Sequence, residues 1–157
     1  MDSTNCKPKI AIIYASVTGN TETAAKTLLE ICQAKGLETR LWPIKDFPVA
    51  ELSRCDIVLV GTYTWGSGEI PKEMHGLFQL FEAFCRKELV TAVFGTGDSF
   101  FAEFCGAVDR FRDMLFVQTD LAAVLKIELR PQDQDRLRCE KLIDCAIQRL
   151  LNNSRRV

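Results

Sequence analysis

The sequence contains a single histidine, and its seven cysteines include no Cys-x-x-Cys pair. Zinc sites are built from closely spaced cysteine and histidine ligands, so this composition argues against a metal site. The cysteines are scattered and odd in number, and residues 1–9 lack the apolar core of a secretory signal. We therefore expect reduced thiols that pack as small apolar side chains, in a cytoplasmic protein.

Long apolar runs are also missing, because none approaches the roughly 20 residues that span a bilayer. No basic face with interleaved aromatic residues is present, so we expect neither membrane insertion nor nucleic-acid binding. The 157 residues suffice for one domain with a substantial core. We assign residues 9–151 to this domain, residues 1–8 to a flexible lead-in and residues 152–157 to a C-terminal tail.

Five short, β-rich apolar runs alternate with stretches of helical periodicity. The predicted strands are residues 9–15, 38–42, 56–62, 89–95 and 122–129. The predicted helices are residues 20–35, 71–86, 102–116 and 133–151. This alternation, with short links, predicts a parallel sheet covered by helices on both faces. Ligands bind such sheets beyond the carboxyl ends of the strands, so the residues after the first, third and fourth strands matter most.

A polar turn follows the first predicted strand and leads directly into a helix. It reads Ser16-Val17-Thr18-Gly19-Asn20-Thr21 and lacks the lysine of a nucleotide-triphosphate loop. Hydroxyls and a glycine at a helix N-terminus suit a phosphate, because backbone N–H groups and the helix dipole both favour an anion there. The same residue types are common helix caps, so this turn alone leaves both interpretations open.

Aromatic and acidic side chains follow the third and fourth predicted strands. Trp65 lies among glycines in the segment 62–69, which indicates either a platform for a flat ligand or a tryptophan folded back over the sheet edge. Asp98 precedes two phenylalanines in the segment 95–101. An aspartate followed by paired aromatic residues could face a heterocycle. Asp98 or Ser99 could also cap the next helix, and the two interpretations are compatible.

Taken together, the three turns resemble those of the flavodoxin family over residues 9 to about 150. Residues 16–21 resemble its phosphate loop, residues 64–66 its first ring-stacking loop, and residues 95–99 with 104–107 its second. The resemblance implies a doubly wound five-stranded parallel sheet of order 2-1-3-4-5 with helices on both faces. The fifth strand lacks the long insertion of the long-chain branch, so the chain resembles the short-chain flavodoxins.

The resemblance also implies non-covalently bound FMN. Its phosphate is expected at Ser16, Val17, Thr18, Gly19, Asn20 and Thr21. Its ring is expected between Trp65 and Phe101, with Thr64, Gly66 and Ser67 beside ring N5. The pyrimidine edge and ribityl surroundings are expected to be formed by Thr96, Gly97, Asp98, Glu103, Phe104 and Cys105.

Two residues depart from the family pattern, and one charge type is missing near the phosphate. Phe101 stands where the family usually has tyrosine, and Ser67 stands where many members have an acid. No lysine or arginine lies within residues 10–25. We therefore expect uncharged donors to hold the phosphate.

The implied function is a low-potential one-electron carrier. It would pass electrons between an NAD(P)H-dependent flavodoxin/ferredoxin reductase and acceptor redox enzymes, as a monomer in transient contacts. Residues 61–120 carry nine acidic and five basic side chains, which favours attraction of basic partner faces. No catalytic base or nucleophile is evident, so we expect no enzyme activity. The alternative is a flavodoxin-like NAD(P)H-dependent FMN or quinone reductase, which the lack of a recognisable second nucleotide site disfavours.

Overall fold

The computed structural model describes residues 7–100 and 103–155. Its strands are β1 (Lys9–Tyr14), β2 (Glu38–Pro43), β3 (Ile57–Tyr63), β4 (Val90–Gly97) and β5 (Asp120–Glu128). Its helices are α1 (Asn20–Ala34), α2 (His75–Ala83), α3 (Gly106–Gln118) and α4 (Asp133–Ser154). Short 3₁₀ turns are formed by Ile44–Asp46, Val49–Arg54 and Lys72–Met74.

The five strands form one parallel sheet in the order β2-β1-β3-β4-β5, which confirms the predicted fold. Successive side chains of a strand point to opposite faces, so each central strand contributes side chains to two hydrophobic cores, one on each face of the sheet. In β3, Ile57 and Leu59 pack with α1 and α4, whereas Val58 and Val60 pack with α2 and α3. This burial on both faces explains why the central strands read as continuous apolar runs.

Two helices, α2 and α3, begin four residues later than predicted. The helix predicted over 71–86 is a 3₁₀ turn followed by α2, which ends at Ala83. The helix predicted over 102–116 begins only at Gly106, since Cys105 adopts a left-handed conformation with φ 52°. A residue in that conformation cannot belong to a right-handed helix, so residues 103–105 form a loop.

The fifth strand runs without an insertion beside β4, in agreement with the short-chain expectation. One register shift, opposite Thr91 and Ala92, interrupts the pairing. Among the described residues, no helix has the length and apolar character to cross a membrane.

Six cysteines fall within the described residues, and all six are free thiols. Burial raises the pKa of Cys55, Cys105 and Cys139 to about 11 each. These thiols therefore stay protonated at neutral pH and act as apolar packing groups.

Candidate functional site

Three loops leave the carboxyl ends of β1, β3 and β4, which are neighbours in the sheet. We call them the β1–α1 loop (residues 15–19), the Trp65 turn (residues 65–69) and the β4–α3 loop (residues 98–105). Adjacent parallel strands carry their carboxyl ends to the same sheet edge, so the three loops lie side by side. The predicted ring contact Phe101 lies outside the described residues.

Ser16 organises the β1–α1 loop. Its Oγ accepts hydrogen bonds from the backbone N–H groups of Gly19 (3.2 Å) and Glu22 (3.3 Å), so Ser16 does cap the start of α1. Both lone pairs of the hydroxyl oxygen are then in use, and its proton remains available for donation. The cap interpretation and the phosphate interpretation are therefore compatible at this residue.

The backbone of the same loop supplies further donors. The N–H groups of Val17, Thr18, Asn20 and Thr21 donate to no acceptor among residues 7–100 and 103–155. Gly19 has φ 94° and immediately precedes α1, so these donors gather at the positive end of the helix. Unused N–H groups at a helix N-terminus, together with a free hydroxyl proton, form an arrangement that can bind an anion.

A hydrogen bond links Thr21, in the first turn of α1, to Thr96, near the carboxyl end of β4. Their hydroxyl oxygens are 2.7 Å apart, and the two residues are only 1% and 5% exposed. Each hydroxyl carries one proton, so Thr21 can donate to a ligand only while Thr96 donates to Thr21. Two residues that the sequence analysis assigned to different parts of the site therefore form one hydrogen-bonded pair.

A cavity of about 630 Å³ lies against the β1–α1 loop. Besides the loop, its walls include Tyr14, Glu22, Lys45 and Glu73. Sequence reasoning missed Lys45, because it considered only cations close to the loop along the chain. The predicted strand order places the end of β2 beside the end of β1, so the topology could have indicated a contribution from this segment.

The two tyrosines of the chain each donate to a carboxylate at this cavity. Tyr14 bonds Glu22 at 2.8 Å, and Tyr63 bonds Glu73 at 2.6 Å. Burial, followed by the hydrogen bond to the neighbouring glutamate and its charge, raises the pKa of both tyrosines to about 12.

We predict that the native protein shows no tyrosine ionisation near pH 10. The pKa values of both tyrosines are higher in the folded state than in the unfolded state. Their contribution to the free energy of unfolding is therefore complete below about pH 10 and is lost as the pH rises towards about 12. An ultraviolet titration of tyrosinate, with folding followed by circular dichroism, measures this. Glu73→Gln should lower the pKa of Tyr63 towards 10. Ionisation of both tyrosines near pH 10 in the native wild-type protein would contradict their raised pKa values.

The Trp65 turn is a tight, closed unit. The N–H of Trp65 donates to the carbonyl of Glu69 at 2.8 Å, and the N–H of Glu69 donates back at 2.7 Å. Gly66 and Gly68 have φ values of 52° and 88°, which favour glycine. Trp65 is 59% exposed, so its indole faces solvent and is not folded over the sheet edge. Of the two interpretations of Trp65, the exposure favours the ring platform.

The first turns of α3 hold the Trp65 turn in place. The N–H of Ala107 donates to Thr64 Oγ1 at 3.2 Å, and Arg110 Nε donates to the carbonyl of Gly68 at 2.8 Å. Gly106 approaches so closely that a Cβ on it would lie 2.6 Å from Gly68 Cα. Sequence reasoning missed Arg110, because its contact depends on the packing of α3 against a distant loop.

A second cavity, of about 320 Å³, lies between the Trp65 turn and the β4–α3 loop. Among residues 7–100 and 103–155, its lining consists of predicted site residues, namely Thr64, Gly66, Gly97, Asp98, Glu103 and Cys105. Asp98 Oδ1 accepts from the N–H of Phe100 at 2.9 Å. Asp98 therefore stabilises its own loop and does not cap α3, which begins at Gly106.

Two further predicted residues follow lining residues along the chain but do not themselves line the cavity. Ser67 is exposed at the tip of the Trp65 turn. Phe104 is half-buried and packs against the core formed with α2 and α3. The described site thus consists of a donor-rich loop, an exposed indole and a partly acidic cavity along one sheet edge.

These features define a doubly wound α/β protein with a donor-rich loop and an exposed indole where the strand order reverses. The flavodoxin family model matches residues 12–135, and the chain belongs to the flavodoxin family. Probable flavodoxin 1 of Bacillus subtilis (strain 168) is 41% identical over 132 residues, which are 81% of this chain and 82% of that protein.

Solved structures agree with this membership. Oxidised flavodoxin 1 of Bacillus cereus superposes with a TM-score of 0.82 at 28% identity, covering 89% of this chain and 97% of that one. A short-chain flavodoxin associated with a bacterial microcompartment superposes with a TM-score of 0.86 at 25% identity. That match covers 91% of this chain and 99% of the other.

Proposed function

We propose that this flavodoxin binds FMN without a covalent bond and acts as a low-potential one-electron carrier. One observation supports this proposal most strongly. A donor-rich helix N-terminus, an exposed indole and a polar cavity lie together at one edge of the sheet. Membership of the flavodoxin family supports the same assignment.

The β1–α1 loop fits the phosphate of FMN. Ser16 offers its hydroxyl proton, and the N–H groups of Val17, Thr18, Asn20 and Thr21 are available to the same anion. Hydrogen bonds to a charged group contribute about 1.5–3 kcal/mol each. Lys45 on the cavity wall adds a cation, but Glu22 and Glu73 on the same wall offset its charge. The uncharged donors of the loop therefore dominate phosphate binding.

The other two loops fit the flavin ring. Trp65 presents an aromatic face, and the neighbouring cavity provides peptide and side-chain groups for the ring edge, from Thr64, Gly66, Gly97, Asp98, Glu103 and Cys105. We propose that Ser67, with Thr64 and Gly66, lines the N5 side. Phe101 is proposed to cover the second ring face, and Thr96 and Phe104 to support the β4–α3 loop.

When bound, FMN would supply one-electron redox chemistry at this site. The chain itself holds the cofactor and biases its charge. Glu69, Asp98 and Glu103 are carboxylates on the loops around the ring site. At about 4 Å and an effective dielectric constant near 20, like charges repel by roughly 4 kcal/mol, and by less when solvated. These carboxylates therefore disfavour added negative charge on the ring and lower its potential.

An NAD(P)H-dependent flavodoxin/ferredoxin reductase is the proposed electron donor, and acceptor redox enzymes receive the electrons in transient encounters with the monomer. The acidic segment 61–120 favours partners with basic faces. A carrier needs no proton-transfer residue of its own. The side chains at the ring site serve binding and charge alone.

Incubation of the FMN-loaded protein with NADPH tests carrier against enzyme. We expect no sustained NADPH oxidation by the protein alone, and rapid flavin reduction once an NADPH-dependent ferredoxin/flavodoxin reductase is added. The reduction rate should fall as the salt concentration rises, because screening weakens the attraction between acidic and basic faces. Sustained NADPH oxidation without the reductase would identify the protein as a reductase instead.

A further inference from the structure

We propose that Arg110 is a positioning residue that preorganises the Trp65 turn for the flavin ring. The proposal rests on the function proposed above. Arg110 lies on α3, outside the loops that the sequence analysis assigned to the cofactor. It reaches the Trp65 turn through a single side-chain hydrogen bond, from Nε to the carbonyl oxygen of Gly68 at 2.8 Å.

The contact lies at the point where the turn needs support. Two backbone hydrogen bonds between Trp65 and Glu69 close the turn at its ends. Within the turn, Gly66 and Gly68 have no side chains to pack and both adopt positive φ. Glycines in such positions leave the backbone many alternative conformations when no outside contact restricts them. The bond from Arg110 fixes the Gly68 carbonyl and removes much of this freedom.

Helix α3 provides a rigid base for this contact. Arg110 lies one helical turn after Gly106, and the two residues are on the same face. Gly106 packs against the Gly68 backbone, and the Arg110 side chain reaches the carbonyl of the same residue. A backbone contact and a charge-assisted hydrogen bond thus act on one peptide unit from a single helix.

Preorganisation increases affinity because the turn loses less conformational entropy when the ligand binds. Without Arg110 the Trp65 turn would sample other conformations in the flavin-free protein. Binding would then have to order the turn as well as the ring. The predicted consequences are faster exchange of the turn's N–H groups before binding and weaker binding of FMN.

Three variants separate this role from a general charge effect. Arg110→Met removes the donor and the charge but keeps an unbranched apolar side chain. Arg110→Lys keeps the charge and a flexible donor. Arg112→Met is the matched control, because it removes one positive charge from the same helix. Arg112 pairs with Asp109 and Asp113 and donates no hydrogen bond to residues 65–69.

Hydrogen exchange of the flavin-free protein, measured by mass spectrometry on peptides covering residues 64–69, reports the turn directly. We expect Arg110→Met to accelerate exchange of the Trp65 and Glu69 amides at least about tenfold and to weaken FMN binding about tenfold, which is about 1.4 kcal/mol. Arg110→Lys should recover part of both effects. Arg112→Met should match the wild type in both measurements.

The outcomes distinguish this proposal from the proposed function. A wild-type protein that does not bind FMN refutes the function. If the wild type binds FMN and Arg110→Met binds it equally well, the positioning role is refuted and the proposed function stands, whatever the exchange rates. Should Arg110→Met prove unfolded by circular dichroism, Arg110→Lys decides the question. Exchange and affinity intermediate between complete loss and the wild type support the role, and wild-type values of both in that variant refute it.

Discussion

Riboflavin, which lacks the phosphate of FMN, is expected to bind this protein at least about 100-fold more weakly than FMN. The difference corresponds to about 2.8 kcal/mol. The β1–α1 loop has a free Ser16 hydroxyl proton and several unused backbone N–H groups. Riboflavin has no phosphate to accept hydrogen bonds from these donors. Each hydrogen bond to a charged group contributes about 1.5–3 kcal/mol, so two such bonds suffice for the expected difference.

Calorimetric titration of flavin-free protein with each ligand measures this preference. Ser16→Ala should reduce it, because the variant loses one donor and uncaps the Gly19 and Glu22 amides. Ser53→Ala is the matched control, since Ser53 bonds the carbonyl of Ala50 in a 3₁₀ turn remote from the β1–α1 loop along the chain. Equal affinity of the wild type for the two flavins would show that the loop does not bind the phosphate.

Gly106→Ala is expected to displace the Trp65 turn and to weaken FMN binding by about tenfold or more. The new Cβ would lie 2.6 Å from Gly68 Cα and 3.0 Å from Gly68 O. Both neighbours are backbone atoms, so the turn itself must move away from α3. Overpacking of this kind costs about 1–3 kcal/mol, and the moved turn no longer presents Trp65 and Gly66 in the same place.

Gly76→Ala supplies the control for this substitution. Gly76 is an exposed residue of α2, and a Cβ on it meets no atom within 4 Å. The variant should be more stable than the wild type by up to about 1 kcal/mol and should bind FMN normally, since alanine favours a helix over glycine. Thermal melts and FMN titrations of both variants make the comparison. Normal FMN affinity in Gly106→Ala would mean that the position of the turn does not matter for the flavin.

The sheet could be predicted from the sequence because its central strands are buried on both faces. Apolar runs such as residues 56–62, bounded by polar turns, leave little ambiguity about strand identity. Helix ends were less predictable. The start of α3 depends on the left-handed conformation of Cys105. Cysteine has no preference for this conformation, so the sequence does not predict it.

The candidate site was predictable where its residues follow one another along the chain. The β1–α1 loop and the Trp65 turn are continuous segments with recognisable residue types. Contacts between segments were not predictable in the same way. Lys45 lies on the cavity wall because β2 is the neighbour of β1 in the sheet. The packing of α1 on the sheet places Thr21 against Thr96, and the packing of α3 places Arg110 against Gly68. Such contacts depend on tertiary structure, which periodicity and motif spacing do not encode.

The proposed function requires that Trp65 form one wall of an FMN site, and a fluorescence titration of Trp42→Phe examines that wall alone. That variant keeps an aromatic side chain against Phe47 and leaves Trp65 as the one tryptophan of the chain. We predict that adding FMN to the flavin-free variant quenches Trp65 fluorescence to a plateau at one FMN per chain. Fluorescence that stays unchanged at saturating FMN would show that Trp65 does not contact the flavin.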